Sequence, residues 1–293
     1  MKNCLTDDRL ALQPTSTYHE SSVQLPALID GIRVREERIR MTDYQFNPEL
    51  DDRLRDFIAR PGHFIADIGL VHALHLIPVV AVAEAFVVPI EDKKVIPVFT
   101  TAEALETFKQ HISESLTYTN QPFLRLVEHL MTQEFDAIAF NLQPAGQDAA
   151  NTTMLPREHL VAFLNRYTDV LNKLMASENE TASDQDKYYL IPAFARTTAD
   201  GEIARIFATL SKPTGESFVP VFTNLMSFAK WYQHQDFGLP FQEHGGLVLT
   251  WQLSELKAPS VGKNELDDVR GVAVDPLDAV DYEQAVILWQ DLG

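Results

Sequence analysis

Val95-Ile96-Pro97-Val98-Phe99-Thr100 recurs as Phe218-Val219-Pro220-Val221-Phe222-Thr223, with Pro-Val-Phe-Thr identical in both copies. Each run is apolar, short and rich in β-branched residues, which reads as a buried strand rather than a helix. The proline sits near the strand start, where a missing N–H is tolerated. A helical stretch follows each copy, Thr101 to Phe108 and Asn224 to Tyr232. Thr100 and Thr223 stand at these junctions and are expected to act as N-caps. Glu103, three residues after Thr100, would complete a capping box, and Met226 holds that place in the second copy.

The flanks repeat in the same order. Upstream, Leu76-Ile77-Pro78-Val79-Val80-Ala81 matches Leu190-Ile191-Pro192-Ala193-Phe194-Ala195. A second strand is expected at Ala85 to Pro89 and at Ile203 to Leu210, with Asp200-Gly201 as a hairpin turn before the latter. Downstream, the apolar segment ending Phe140-Asn141, with Pro144 beyond, matches the one ending Val274-Asp275-Pro276. Final helices are expected at Pro156 to Met175 and at Asp281 to Trp289. Two helices, Pro48 to Ala59 and Gly62 to Leu74, precede the first unit, and Glu158 to Met175 stands in their place before the second. An internal repeat of this length means one unit used twice.

The expected organisation is an N-terminal extension over 1–45, a first domain over 46–176, a polar linker over 177–187 and a second domain over 188–293. Each domain is read as α+β: a small mixed or antiparallel sheet of about four or more strands packed with helices.

These landmarks resemble the N-terminal domain of the SseB (enhanced serine sensitivity) family. Its pattern is a helix, a strand entered through a proline, a hairpin, a Pro-Val-Phe-Thr strand leading into a helix, and a late apolar strand closed by an Asn/Asp-Pro turn. Here those elements are Leu54 to Leu74, Leu76 to Ala83, Val95 to Phe108 and Ala137 to Pro144, and they recur from Tyr189 onward. The resemblance covers Pro48–Met175 and Lys187–Gly293. It departs at Asn141-Leu142-Gln143-Pro144, where the turn is looser. It implies an α+β fold and a cytoplasmic location, with no chemistry whose residues carry over.

Composition narrows the function classes. The chain has 293 residues and a formal net charge of -18, which opposes any broad electrostatic grip on nucleic acid or anionic membrane. Residues 177–293 hold 18 acidic and 8 basic residues, so most of that charge lies in the second half. The basic run Arg33, Arg35, Arg38 and Arg40 is interrupted by Glu36 and Glu37 and reads as a solvated face. Cys4 is the one cysteine, so no internal disulfide forms. The first residues lack an apolar signal core, and Leu70 to Ile90 is broken by His72, His75, Pro78, Glu84 and Pro89. The expected location is cytoplasmic, where the glycosylation patterns at Asn151 and Asn179 would go unused.

No signature of phosphate binding, acyl transfer or metal hydrolysis occurs in the chain. His63, Asp67, His72 and His75 invite a metal reading, since His72 and His75 share a helix face. Leu74 and Leu76 flank His75, and the second copy has no matching histidine, so no metal is expected. Asp7-Asp8, Asp51-Asp52 and Asp267-Asp268 read as solvated or helix-start charges. Thr100 and Thr223 would be nucleophiles only beside a base, and the sequence shows none.

Phe99, Phe108, Phe222 and Phe228 read as core. Trp231 and Tyr232 are adjacent and cannot face the same way from one helix, so one is expected at the surface or at an inter-domain contact. Gln233 to Asp268 reads as an insertion peculiar to the second copy. The candidate partner contacts are Trp231, Tyr232, Glu243, His244 and Trp251.

The function expected from these features is a non-enzymatic cytoplasmic protein-interaction or regulatory module. Its partner would be an unidentified protein or a second copy, without cofactor, nucleic acid or membrane. The reason is that two copies of an active site should repeat their polar residues, whereas apolar and turn residues are what repeat. The alternative is a small-ligand-binding protein or enzyme with a cleft between the repeats, using groups such as His75, Arg196 or Glu243.

Overall fold

The computed structural model describes residues 44–84, 86–112, 115–133, 135–143, 150–178, 183–212, 214–279 and 285–292. Cys4, the Arg33–Arg40 run, nearly all of the 1–45 extension and the Asn179 pattern lie outside these residues. The fold is α+β, with eight helices and three sheets among the described residues.

In the first half, α1 (Pro48–Ala59) starts behind Asn47, whose side chain accepts from Glu49 N–H at 2.9 Å, with a proline in the first turn. Helix α2 (Phe64–Leu76) is capped by the His63 ring, which accepts from Ala66 N–H. It runs two residues beyond the expected end. Leu76 therefore closes a helix, 68 % exposed, instead of opening a strand. Pro78 excludes the helical conformation at Ile77, which is extended. Then follow β1 (Val79–Val82), β2 (Val88–Ile90), β3 (Lys93–Phe99), α3 (Ala102–Lys109), β4 (Tyr118–Gln121), α4 (Phe123–Thr132), β5 (Ala137–Phe140), β6 (Thr153–Pro156) and α5 (Arg157–Ser177).

The second half contains β7 (Tyr189–Thr197), β8 (Ile203–Phe207), β9 (Leu210–Ser211), β10 (Ser217–Val221), α6 (Leu225–Tyr232), α7 (Gly238–Glu243), β11 (Leu247–Trp251), α8 (Leu253–Lys257), β12 (Lys263–Glu265), β13 (Val269–Val274) and β14 (Val286–Leu288). The Asp200-Gly201 turn joins β7 to β8, with Gly201 at φ 84°.

Both halves are wired alike. The first sheet has the order β4-β1-β3-β5-β6, with β2 also paired to β3. In the second half β11-β7 and β10-β13-β14 give the same order, joined through one antiparallel bridge, Leu190 to Phe222. Pairs β3–β5 and β10–β13 are parallel, and the others along these paths are antiparallel. Register agrees to the residue: Pro97 faces Ala139 as Pro220 faces Ala273.

The upstream match is four residues out of register. Val80 pairs with Phe99, and Leu190 pairs with Phe222, so Leu190 corresponds to Val80 rather than to Leu76. The shared Leu-Ile-Pro wording misleads because Pro78 ends a helix while Pro192 lies inside β7.

Two other expectations change. Val286–Leu288 is a strand on β13, not part of a helix over Asp281 to Trp289; residues 281–284 lie outside the described set. Gly271 permits this pairing, since a Cβ there would stand 2.1 Å from Ile287 O. The segment Gln233 to Asp268 is not one insertion either. Strand β11 and helix α8 within it match β4 and α4, which leaves α7 and β12 as the additions.

One apolar cluster runs through both halves. It joins Leu50, Phe64, Leu74, Phe140 and Tyr167 to Leu190, Phe222, Phe228, Trp231, Tyr232 and Phe241. Met41–Gly293 is one compact unit, in which this shared cluster lies beside others confined to one half, such as the one around Tyr189, Val219 and Leu256. The described ends of the polar stretch 177–187 are tied down: Ser177 Oγ accepts from Tyr188 N–H at 2.7 Å, and Asp186 C=O accepts from Gln252 Nε2 at 2.9 Å.

Candidate functional site

The strand–helix junctions hold the densest polar clusters. Asn141 and Asp275 end the parallel strands β5 and β13 in the left-handed region, at φ 50° and 45°. Short amide and carboxylate side chains tolerate this conformation by bonding locally. Asn141 N–H donates to Val98 C=O, and Asp275 N–H donates to Val221 C=O. Their side chains then accept the N–H of Thr100 and of Thr223, at 2.8 and 3.0 Å.

The helix caps fall one residue later than expected. Thr101 accepts from Ala104 N–H, and Asn224 accepts from Ser227 N–H. There is no capping box with Glu103. Thr100 and Thr223 are freed to bond sideways, and each does have a carboxylate beside it.

In the first half Thr100 Oγ1 donates to Asp51 Oδ1 at 2.6 Å, and Asn151 Nδ2 donates to the same oxygen at 2.6 Å. Arg55 Nε donates to Asp51 Oδ2 at 2.7 Å. Asn141 Nδ2 donates to Thr100 Oγ1 and to Asn151 C=O. Asp51 is thus a helix-start charge, in the first turn of α1, but a buried one and not solvated; Asp52 is exposed. Burial pushes its carboxyl up, but the bonds from Thr100, Asn151 and Arg55 outweigh this and hold it below the ordinary value. Buried Asn151 cannot present a glycosylation surface.

In the second half Thr223 Oγ1 donates to Asp275, and Ser227 Oγ and Lys230 Nζ donate to Asp278. Burial raises the Asp275 carboxyl, partly offset by Thr223. Neither junction offers a nucleophile to a substrate. In the first, the hydroxyl and the carboxylate are both buried and the acceptor positions are filled. Thr223 and Asp275 are half-buried, and neither lines a described cavity.

The seam is closed. Phe64 packs edge-on against Phe228 and Tyr167, and the His63 ring against Tyr232. Trp231 and Tyr232 are both buried, so neither is a surface contact for a partner. Both rings pack against Phe228 and Phe241; Trp231 also meets Phe222, and Tyr232 also meets His63 beside α2. Glu243 and His244 are exposed at the end of α7. Trp251 is half-buried under Arg205, 4.8 Å from its ring centre. The five candidates do not form one surface.

His63 caps α2, His75 Nε2 is 2.9 Å from Thr168 Oγ1, and His72 is exposed. Among the described residues no three His, Cys, Asp or Glu side chains group as metal ligands. His75, Arg196 and Glu243 do not converge: Arg196 pairs with Glu265 at 2.6 Å, His75 meets Thr168, and Glu243 faces solvent. A cavity of about 10 Å³ beside Gln121 and His129 holds one water at most, and a shallow charged face lies along α1. No described helix is long and apolar enough to cross a membrane.

Asp67, considered above beside three histidines as a metal ligand, is instead partnered by Tyr167, a residue that no sequence pattern singles out. Tyr167 hydroxyl donates to Asp67 Oδ2 at 2.7 Å, while Asp67 Oδ1 is buried without a partner. A residue 100 positions away supplies the bond, so no local pattern announces it.

No family model matches the chain, and no curated protein matches it. Among solved structures it is similar to Tic22 from Plasmodium falciparum, at 10% identity over 67% of this chain and 90% of that one. The TM-score is 0.17, so the likeness carries no argument.

Proposed function

We propose that this chain is a non-enzymatic, cytoplasmic protein-interaction or regulatory module made of two fused SseB-like units. One observation carries the reading: the polar groups gathered at the Thr100 junction are closed on one another, and aromatic side chains fill the seam. A catalytic site needs unsatisfied groups facing a space that admits a substrate. The repeated Thr–Asn/Asp bonds are better explained as the clasp that fixes a strand to its helix.

The contact surface is assigned to what the second half adds. Helix α7 has no counterpart in the first half and presents Leu239, Glu243 and His244 to solvent. The partner is a protein or a second copy. Tagged chain purified from native cells, compared with Leu239→Ala/Glu243→Ala/His244→Ala, tests this. The expected result is a specific partner, or a self-associated species, that the triple variant loses while keeping its melting temperature. Substrate turnover by the purified chain, with no partner recovered, would overturn the reading.

A further inference from the structure

Asp67 lies in the first turn of α2, 6 % exposed, where α2 meets α5 and α6. From α5, Tyr167 donates to its Oδ2, and Arg166 adds a weaker electrostatic pull without a direct bond to Asp67. From α6, the Tyr232 hydroxyl feels the Asp67 charge. On the α2 side stand His63 and Arg60, the latter paired with Asp56. From α4, the buried side chains Phe123, Leu126, Val127 and Leu130 are all apolar. Oδ1 has no donor, so an ionised Asp67 would leave half of its charge bare in this interior. The protonated acid leaves only a neutral group there.

We propose that Asp67 is carried as a neutral carboxylic acid and that its ionisation loosens the packing of α2 against α5 and α6, so that the seam between the halves is pH-sensitive. Burial raising the Asp67 carboxyl above its ordinary range agrees with this placement. The sign follows from proton linkage. Below the unfolded-state value, about 3.9, both states hold the proton and nothing is lost. Above it the unfolded chain releases a proton that the folded chain keeps, so stability falls as pH rises toward the folded value. His63 and His75 act oppositely. Burial depresses both, so their contribution is present above about pH 6.5 and fades as pH falls through their lowered values. Asp67 must therefore be read as a difference from a variant.

Thermal unfolding of the whole chain and of Asp67→Asn, from about pH 4 to pH 8, makes the comparison. The variant is expected to melt higher than wild type by roughly 2–4 °C or more at the alkaline end, and the gap to close toward the acid end. A constant gap across the range overturns the proposal. Hydrogen exchange localises the effect: at the alkaline end α2, α5 and α6 exchange faster in wild type than in Asp67→Asn, while β3 and β5 do not differ. Uniform change across all elements contradicts a device at the seam. A carboxyl titration by NMR serves if the variant fails to fold. It should show one aspartate holding its proton well above about pH 4 and moving in Tyr167→Phe; Asp275 stays put. A titration with no aspartate sensitive to Tyr167→Phe overturns the proposal.

Discussion

Thr100 and Thr223 show how one bond pattern is kept while its charge is moved. In the first half Asn141 is neutral and the carboxylate comes from Asp51 on α1. In the second half Asp275 itself supplies the carboxylate, and among the described residues no second carboxylate bonds Thr223. Each hydroxyl thus faces one acid, not two. Asn141→Asp should place two carboxylates around Thr100 and destabilise the chain at neutral pH, with the loss shrinking as pH falls; urea midpoints at two pH values check it. Asp275→Asn removes a carboxyl that burial has raised, so its stability relative to wild type should rise with pH. Asn141→Ala strands the Thr100 N–H and keeps a left-handed backbone, for a loss of about 2–4 kcal/mol in urea unfolding. From sequence Asn141 and Asp275 were readable as strand stops, which they are. Their bonds to threonine are not readable, because the partners are 41 and 52 positions apart.

At the scale of elements, α6 is the pivot. Phe228, Trp231 and Tyr232 are buried on it, while Met226 is 74 % exposed. Phe228→Ala should cost about 3–5 kcal/mol, and Met226→Ala within about 0.5 kcal/mol, by the same unfolding measurement. Gly238→Ala should also destabilise strongly, because a Cβ there would lie 2.1 Å from Tyr232 O. Adjacency on one helix suggests that only one of Trp231 and Tyr232 is enclosed, yet both are buried. It could not show that both directions lead inward, since enclosure depends on α2 and Phe241 arriving from distant segments. The caps fall one residue after Thr100 and Thr223 for a related reason. Thr-Thr and Thr-Asn offer two capping residues each, and the deciding bond comes from across the sheet.

For the whole molecule, the sequence exposed the duplicated strand and its helix, and the α+β class with it. It did not expose the strands β4, β6 and β14, whose residues are polar or few and take their form from pairing with β1, β5 and β13. Nor did it show that one apolar cluster spans both halves, because a polar stretch between similar units looks the same whether or not they share a cluster. The acidity of the second half fits a surface role, since its core residues are as apolar as those of the first. The central claim is that an apolar cluster shared by the two halves makes them one cooperative unit. Differential scanning calorimetry of the whole chain tests it most directly. One transition is predicted, with calorimetric and van't Hoff enthalpies equal. Two separable transitions, one of them raised independently by a small ligand, would contradict it.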